Sequence, residues 1–245
     1  MTHDDIFKKY LIEYDKASVT TSFPSLTDYE IATILDKAYL ALIAQKFTGN
    51  NARSAAFESD AKAVEDVRPL IKRDQLTEDL SAQDKASNEF VFTLPSDMLY
   101  YIDGSVSFTP SVSSLDNKDH SMFNMYLLPH AAAQQYKATA TNLPWIKNPV
   151  CYMEDDTLRV LIDMYLYKQK HVDPSPLTPG TPVTCSVTYI STPNKFVDDY
   201  DTKDSTFELN DSMAEELINL AIIMSLEIVE STRLNNKINT SKVEA

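Results

Sequence analysis

The sequence predicts an α+β protein with an N-terminal helical hairpin, a central antiparallel β-rich lobe and a long C-terminal helix. Three observations predict this class. Apolar residues recur at helical spacing near both ends of the 245-residue chain. The middle is rich in β-branched and aromatic residues, which favour strands. A hydrophobic content of 43% suffices for a real core. We expect four parts: hairpin 1–75, β-rich lobe with an inserted short helix 76–206, C-terminal helix 207–235 and tail 236–245.

A capping box predicts where the first strong helix begins. Thr27 is followed three residues later by Glu30, a spacing at which each side chain can accept a hydrogen bond from the other residue's backbone. Apolar residues then recur at helical intervals over 31–42, and Gly49 stands where a left-handed C-terminal cap would end the helix. A second helical stretch precedes Pro69, which ends or kinks a helix. The short link between the two stretches predicts an antiparallel helical hairpin.

The period of the apolar residues changes in the middle of the chain. Asp155 and Asp156 separate two strand-like patterns and predict a tight hairpin turn. An alanine-rich segment favours a short helix with His130 at its start, and Pro144 stops this helix. Three segments rich in β-branched and aromatic residues predict the strands themselves: 89–108, 148–167 and 181–193. The lobe is therefore expected to be an antiparallel sheet with one helical insertion.

The C-terminal helix is predicted from a cap and an apolar stripe. Asn210 or Asp211 caps its start. Its apolar stripe consists of Leu217, Leu220, Ala221, Met224, Ile228 and Val229. We expect this stripe to pack on the hairpin residues Ile31, Leu35, Ala38 and Leu42. Ile218 and Ile222 widen this face, so it needs more than one partner surface. Trp145 is a candidate interface anchor, with a place in the core as the alternative.

Composition argues against most catalytic chemistries. The three glycines, Gly49, Gly104 and Gly180, are too far apart for a phosphate-binding loop. The four histidines are scattered without a metal-binding pair or a catalytic triad pattern. Cys151 and Cys185 stand apart with no zinc-binding spacing, and we expect both to be small buried strand residues. We therefore expect no catalytic residue, no cofactor and no metal site, and a protein that is not an enzyme.

Charge bears on the partners of the protein. A formal net charge of −14 disfavours ordinary nucleic-acid binding, because lysine and arginine must neutralise phosphates. A surface of this sign would instead let DNA pass without sticking to it. No apolar run of about 18 residues predicts a membrane span, so we expect no membrane partner and assembly in a cytosol.

Four segments in a fixed order carry a family resemblance. They are "SLTDYEIATILDKAYLALIAQKFTG", "FTLPSDMLYYIDGSV", "VTYISTPNKF" and "FELNDSMAEELINLAIIMSLEIVESTR". This order resembles the head-to-tail connector or tail-adaptor ring proteins of short-tailed bacteriophages. It is similar in particular to the ring proteins stacked beneath the portal in crAss-like phages. The resemblance covers most of residues 20–235, and the chain departs from it in the loop "DPSPLTPGTP" and in its polar tail.

The resemblance implies a structural virion protein at the head-tail junction. It also implies that the N-terminal hairpin and the C-terminal helix form a bundle beside the β-rich lobe, with Ile218, Ile222 and Trp145 at the interface with a neighbouring subunit. Members of the family form rings, usually dodecamers, that join capsid to tail and line the passage through which DNA is ejected. The implied partners are further copies of the chain, the portal protein and neighbouring tail ring proteins, and assembly takes place in the host cytoplasm. A dodecamer of this chain would carry a formal charge on the order of −170.

Residues 233–245 are the predicted docking arm for the portal. Its candidate contact residues combine positive charge with small apolar anchors, and they are Arg233, Leu234, Lys237 and Ile238. An arm of this kind orders on binding, and copies around a ring strengthen attachment through multivalency. A tail with no partner is the alternative for this segment. For the whole chain, the alternative function is a monomeric phage-assembly or protein-binding module that forms no ring.

Overall fold

The structure is a computed structural model, and it describes residues 1–17, 26–48, 57, 61–77, 89–108, 122–138, 144, 148–162 and 183–228. Within these residues the fold is mixed α and β, with five α-helices and two sheets built largely from antiparallel pairs. The chain divides into two compact units, which we call the helical unit (Met1–Leu70 with Thr192–Ala245) and the β unit (Ile71–Ser191). Segment 192–206, which the sequence analysis assigned to the β-rich lobe, falls in the helical unit in this division.

The helices are α1 (His3–Ala17), α2 (Asp28–Thr48), α3 (Ala61–Val67), α4 (His130–Ala138) and α5 (Asp211–Ile228). Within the helical unit, α5 packs against α2 and α1, and α3 packs against α2. A short 3₁₀ turn, Arg68–Leu70, follows α3 at Pro69, as expected for a residue that cannot continue a helix. The predicted cap at Gly49 and the link that follows it lie outside the described residues.

Helix α1 is an element that the sequence analysis did not predict. It begins with a capping box, because the Asp5 N–H donates to Thr2 Oγ1 at 3.2 Å and the Thr2 N–H donates to Asp5 Oδ2 at 3.1 Å. Its buried side chains recur at helical spacing and are Ile6, Phe7, Tyr10 and Tyr14. The T-x-x-D pattern and this spacing were the sequence signals for the helix.

The capping box predicted for α2 is confirmed. The Glu30 N–H donates to Thr27 Oγ1 at 3.3 Å, and the Thr27 N–H donates to Glu30 Oε2 at 2.8 Å. These bonds satisfy two backbone donors that no turn of the helix can reach. The hairpin residues expected in the core are all buried: Ile31, Leu35, Ala38 and Leu42.

Helix α5 starts where the sequence predicts, with Asn210 as its cap. The Met213 N–H donates to Asn210 Oδ1 at 2.9 Å, which is the bond that an N-cap side chain makes. The predicted stripe is only partly right, since Leu217 and Ala221 are fully buried while Ile228 is 62% exposed. Leu220 and Met224 are half-buried.

The unpredicted helix α1 explains why the buried face of α5 differs from the stripe. Tyr10 Oη on α1 lies 2.5 Å from Ser225 Oγ on α5, and Ser225 is 1% exposed. The buried face of α5 therefore includes the side occupied by Ile218, Ile222 and Ser225, in addition to the side occupied by Leu217 and Ala221. Two helices packing on α5 need a wider face than the single stripe.

The β unit contains eight described strands in two sheets. They are β1 (Ile71–Thr77), β2 (Glu89–Thr93), β3 (Met98–Phe108), β4 (Met122–Asn124), β5 (Tyr126–Leu127), β6 (Val150–Glu154), β7 (Thr157–Leu161) and β8 (Val183–Ser191). Sheet 1 has the order β1-β8-β3-β4, and all its pairs are antiparallel. Sheet 2 has the order β2-β7-β6-β5, and its β5–β6 pair is parallel.

The predicted hairpin turn between β6 and β7 is confirmed at Asp155 and Asp156. Asp155 has a φ of 50°, in the left-handed region that aspartate tolerates better than most residues. The residues that flank the turn, Glu154 and Thr157, face each other across the ladder. The proline-rich loop predicted at 174–182 lies outside the described residues.

One apolar core lies between the two sheets. Both sheets contribute its buried side chains: Leu76, Phe90, Phe92, Val106, Met125, Cys151, Leu158, Val160, Ile162, Cys185, Val187 and Tyr189. The prediction that both cysteines are buried strand residues is confirmed, and burial raises the pKa of each thiol to about 12. Gly104 lies beside this core, and a Cβ there would lie 2.6 Å from Met125 Cε and from Tyr101 Oη, so a larger residue would require these side-chain ends to move.

Helix α4 covers the other face of sheet 2. Ala133 packs with Val150, Tyr152 and Leu161, which alternate along their strands with the residues of the main core. His130 is exposed at the first position of α4, so its predicted place at the helix entry is confirmed.

The burial pattern of α5 leads to a prediction about two leucines on the same helix. Leu217→Ala should lower the free energy of unfolding by about 2 to 5 kcal/mol, because Leu217 is fully buried and truncation leaves a cavity. Leu220→Ala, the matched control, should cost about 1 kcal/mol because Leu220 is half-buried. Urea titrations followed by circular dichroism measure both values. Equal losses for the two variants would contradict the orientation of α5.

Candidate functional site

The structure describes two of the seven residues predicted to contact partners. Ile218 and Ile222 were predicted to contact a neighbouring subunit, and this is corrected: both are 0% exposed within the chain. The reason is the packing of α1 and α2 on α5, which fills the face that was expected to remain open. The interface candidate Trp145 lies outside the described residues, as do the portal-docking candidates Arg233, Leu234, Lys237 and Ile238.

The β unit exposes large apolar side chains at one corner, which we call the β4–β5 corner (residues 122–127). Met122 is 57% exposed, Tyr126 61% and Leu127 46%. Among the described strands, β4 is the last of sheet 1 and β5 the last of sheet 2. The edges of both sheets therefore end within one short stretch of chain.

Met125 is the point at which the chain passes from one sheet to the other. Its N–H donates to the Gly104 carbonyl oxygen at 2.9 Å in sheet 1, and the next N–H, of Tyr126, donates to the Pro149 carbonyl oxygen at 3.0 Å beside sheet 2. The Met125 side chain is buried in the shared core. Its neighbours Asn124 and Tyr126 are exposed, because successive side chains of an extended chain point to opposite sides.

Among the described strands, the backbone of β5 pairs with a neighbour on one side alone. Tyr126 and Leu128 donate their N–H groups toward β6, at 3.0 Å and 2.8 Å. In a parallel ladder the intervening N–H, of Leu127, faces away from the neighbouring strand. An exposed strand edge that also bears apolar side chains is a typical surface for contact with another chain. The β4–β5 corner is therefore the candidate interaction site of the β unit.

The helical unit has exposed apolar side chains of its own. Ile12 is 53% exposed on α1, Leu40 45% on α2, and Ile228 62% at the end of α5. They stand on three different helices. Single exposed apolar residues are common on protein surfaces, so they define a site less clearly than the β4–β5 corner does.

A buried carboxylate in the β unit is the centre of a polar group that we call the Glu89 cluster. Glu89, at the start of β2, is 3% exposed. Its Oε1 accepts hydrogen bonds from Tyr152 Oη and from Arg159 Nη1, the latter at 3.3 Å, and its Oε2 lies 2.9 Å from Lys137 Nζ on α4. Arg159 Nε lies 2.8 Å from a carboxylate oxygen of Glu154.

The charges of the Glu89 cluster balance. Burial opposes the charge of Glu89, but the hydrogen bonds from Tyr152, Lys137 and Arg159 outweigh it, so the pKa of Glu89 is lowered. Two carboxylates face one ammonium and one guanidinium group, and each charge has a partner. The arrangement joins α4 to sheet 2. The pKa of Glu89 is shifted away from neutral pH, whereas acid–base catalysis favours a pKa near it.

A second polar group holds the N-terminal end of α1 within the helical unit. His3 is 2% exposed, its Nδ1 lies 3.2 Å from Asp199 Oδ2, and its ring stacks on Phe196 with centroids 4.1 Å apart. The His3 N–H donates to the Ser205 carbonyl oxygen at 2.9 Å. On α2, Asp36 accepts the Phe196 N–H at 2.7 Å. These contacts join α1, α2 and segment 196–205.

The titratable groups of this region are shifted in different directions. Burial lowers the pKa of His3 despite the nearby carboxylates of Asp199, Asp36 and Glu208. Hydrogen bonds from Thr202 and Ser205 lower the pKa of Asp199. Burial raises the pKa of Asp36, against two backbone hydrogen bonds that lower it. All three groups lie where α1, α2 and segment 196–205 meet.

The described residues contain no group of three or more histidine, cysteine, aspartate or glutamate side chains arranged to hold a metal ion. Within the same part of the chain, no helix has the length and apolar character needed to cross a membrane.

The sequence analysis missed both the β4–β5 corner and the Glu89 cluster. The signal for the corner was "MFNMYLL", an apolar run directly before Pro129 that is too short and irregular for a buried strand pair. For the cluster, the signal was a charged residue, Glu89, at the head of the apolar strand "EFVF". Its partners are 48 or more residues away in sequence and no periodicity links them, as the 63-residue separation from Tyr152 illustrates.

No protein-family model matches this sequence, and no curated protein is significantly similar to it. The fold and its exposed corner define a mixed α and β chain with a candidate interaction surface.

His3 leads to a prediction about acid stability. Because the folded chain holds the pKa of His3 below 6.5, the unfolded chain takes up a proton first, and the free energy of unfolding falls as the pH drops below about 6.5. His3→Phe retains a ring to stack on Phe196 and removes the titrating nitrogen. Its stability should therefore change less than that of the parent between about pH 7 and pH 5.

Urea titrations at a series of pH values make this measurement. Both proteins should lose stability again at lower pH, because the lowered pKa of Asp199 stabilises the fold above its ordinary value of 3.8 and this contribution is lost as the pH falls further. Parallel curves for the two proteins between pH 7 and pH 5 would show that His3 is not responsible.

Proposed function

We propose that this chain is a structural subunit of a ring in the head-to-tail connector of a short-tailed bacteriophage. The ring lies beneath the portal, joins capsid to tail and surrounds the passage of DNA, and the chain is not an enzyme. The observation that carries the proposal is the ordered resemblance of four sequence segments to such ring proteins. We identify the virion as the place of the mature protein, after assembly in the host cytoplasm.

The positions of these four segments in the fold support the proposal. The first and the last form α2 and α5, which pack on each other. The second and the third contain the paired parts of β3 and β8. The resemblance therefore falls on the elements that hold each unit together. The finer arrangement, a bundle of the N-terminal hairpin with the C-terminal helix, is part of the proposal and is supported by the packing of α3 and α5 on α2.

Ring closure needs two different surfaces on each subunit, because head-to-tail contacts join unlike patches. We assign one of them to the β4–β5 corner, with a second copy of the chain as its occupant. Exposed sheet edges bearing Met122, Tyr126 and Leu127 fit an apolar protein contact. This surface takes the place of Ile218 and Ile222, which the chain's own helices cover.

The charge of the chain suits the passage of DNA. Each copy carries a formal net charge of −14, and a dodecamer on the order of −170. A channel surrounded by this charge repels the phosphates, so DNA moves through without specific binding.

Mass measurement of the purified protein tests ring formation. Native mass spectrometry and negative-stain electron microscopy should show closed rings, formed by the protein alone or on addition of portal rings, with a mass many times that of the 27.6 kDa chain. A single 27.6 kDa species under both conditions would refute the ring. That result would favour the monomeric assembly or binding module.

The corner leads to a second prediction, with a matched pair of tyrosines. Tyr126→Asp places a charge on the proposed contact and should abolish ring formation while leaving the thermal unfolding of the chain nearly unchanged, because Tyr126 is 61% exposed. Tyr29→Asp, at a residue 54% exposed in the first turn of α2, should leave rings intact. Native mass spectrometry and thermal melts measure both effects. Rings in the Tyr126→Asp variant would show that the contact lies elsewhere.

A third prediction concerns the proposed portal-docking arm, residues 233–245. Its candidate contacts are Arg233, Leu234, Lys237 and Ile238. Deletion of 233–245 should abolish attachment to portal rings, because it removes the cationic and apolar contacts, and should leave the melting temperature nearly unchanged. Sedimentation of mixtures with portal rings measures attachment. If the truncated chain joins the portal with the parent's affinity, the arm has no such role.

A further inference from the structure

Helix α4 buries little apolar surface on sheet 2. Of its residues 130–137, whose side chains the structure describes, Ala133 alone is fully buried. The apolar group that it joins is small and separate from the core between the sheets: Val150, Tyr152 and Leu161 are buried, and Leu128 and Tyr136 pack against them while partly exposed. Alanine contributes little apolar area compared with leucine or phenylalanine. The apolar packing of α4 therefore rests on one alanine and on the partly buried Tyr136.

Polar contacts hold both ends of α4. At its C-terminal end, Lys137 Nζ lies 2.9 Å from Glu89 Oε2 and 5.0 Å from the centroid of the Tyr152 ring. At its N-terminal end, the His130 ring meets the same Tyr152 ring edge-on, with centroids 5.5 Å apart. His130 Nε2 also lies 3.9 Å from Glu154 Oε1. Both ends thus depend on charged and aromatic groups of sheet 2.

The partners of Glu89 divide between α4 and the sheet. Only Lys137 comes from α4, while Tyr152 and Arg159 stand on β6 and β7 of the same sheet as Glu89. If α4 moved away, Glu89 would keep two hydrogen-bond donors and would gain water. Opening α4 therefore leaves no buried charge without a partner, which is the usual obstacle to separating an ion pair.

We propose that α4 is a flap, latched by the ion pair between Lys137 and Glu89, that opens from sheet 2 as a unit while the core between the two sheets stays closed. Opening uncovers the apolar face formed by Val150, Tyr152 and Leu161. The device is a property of the single chain and stands independently of ring formation. A local opening of this kind is a partial unfolding event with a lower free energy than global unfolding.

Hydrogen–deuterium exchange with mass spectrometry tests the flap on the full-length chain. Lys137→Met should accelerate exchange of the α4 amides about tenfold, with unchanged exchange in β3 and β8. Methionine has nearly the helix propensity of lysine, so the intrinsic stability of the helix is retained. Ala131→Met, at an exposed position of α4, is the control and should exchange nearly like the parent.

A second variant completes the experiment. Glu89→Gln retains the side-chain shape and should accelerate α4 exchange as Lys137→Met does. Unchanged α4 exchange in both variants would overturn the latch. Acceleration of α4, β3 and β8 together would overturn the flap, since it would show that α4 unfolds only with the whole unit.

Discussion

The pairing of β1 with β8 is the constraint on which the rest of the structure depends. The helical unit consists of two separate stretches of chain, and the β unit is inserted between them. In the register of the pair, Ile71 lies opposite Ile190. The start of the first strand of the inserted unit and the end of its last strand therefore lie side by side. A unit whose ends are close can be inserted without separating the parts of its host. β8 also pairs with β3 on its other side, so the last strand of the insertion lies inside sheet 1, with β1 next to it as the first strand of that sheet.

Buried polar groups in both units serve the packing of a helix. In the helical unit, His3 and Asp36 connect α1 and α2 to segment 196–205. In the β unit, Glu89 connects α4 to sheet 2. A buried polar group is tolerated where its hydrogen bonds are made, and each of these groups has partners from a second element. In each unit these groups connect a helix to its neighbours, and the β4–β5 corner is the surface to which we assign contact with another molecule.

Local signals in the sequence were enough to predict several elements. The capping box of Thr27 and Glu30, the cap at Asn210 and the turn at Asp155 each depend on residues within a few positions of one another, and the structure contains all three. Helix α1 carried signals of the same kind in its Thr2–Asp5 box. Its acidic, tyrosine-containing sequence obscured them.

The sequence by itself determined the α+β class, the helix starts, the strand-rich middle and the acidic balance, because these follow from neighbouring residues and from composition. Only the tertiary structure decided which side of α5 is buried. Periodicity defines an apolar face, but the number of helices that pack on it depends on distant parts of the chain. For the same reason, Ile218 and Ile222 belong to the interior. The Glu89 cluster and the corner at Met125 also needed the fold, since long-range pairing in sheet 2 and a change of sheet bring their residues together.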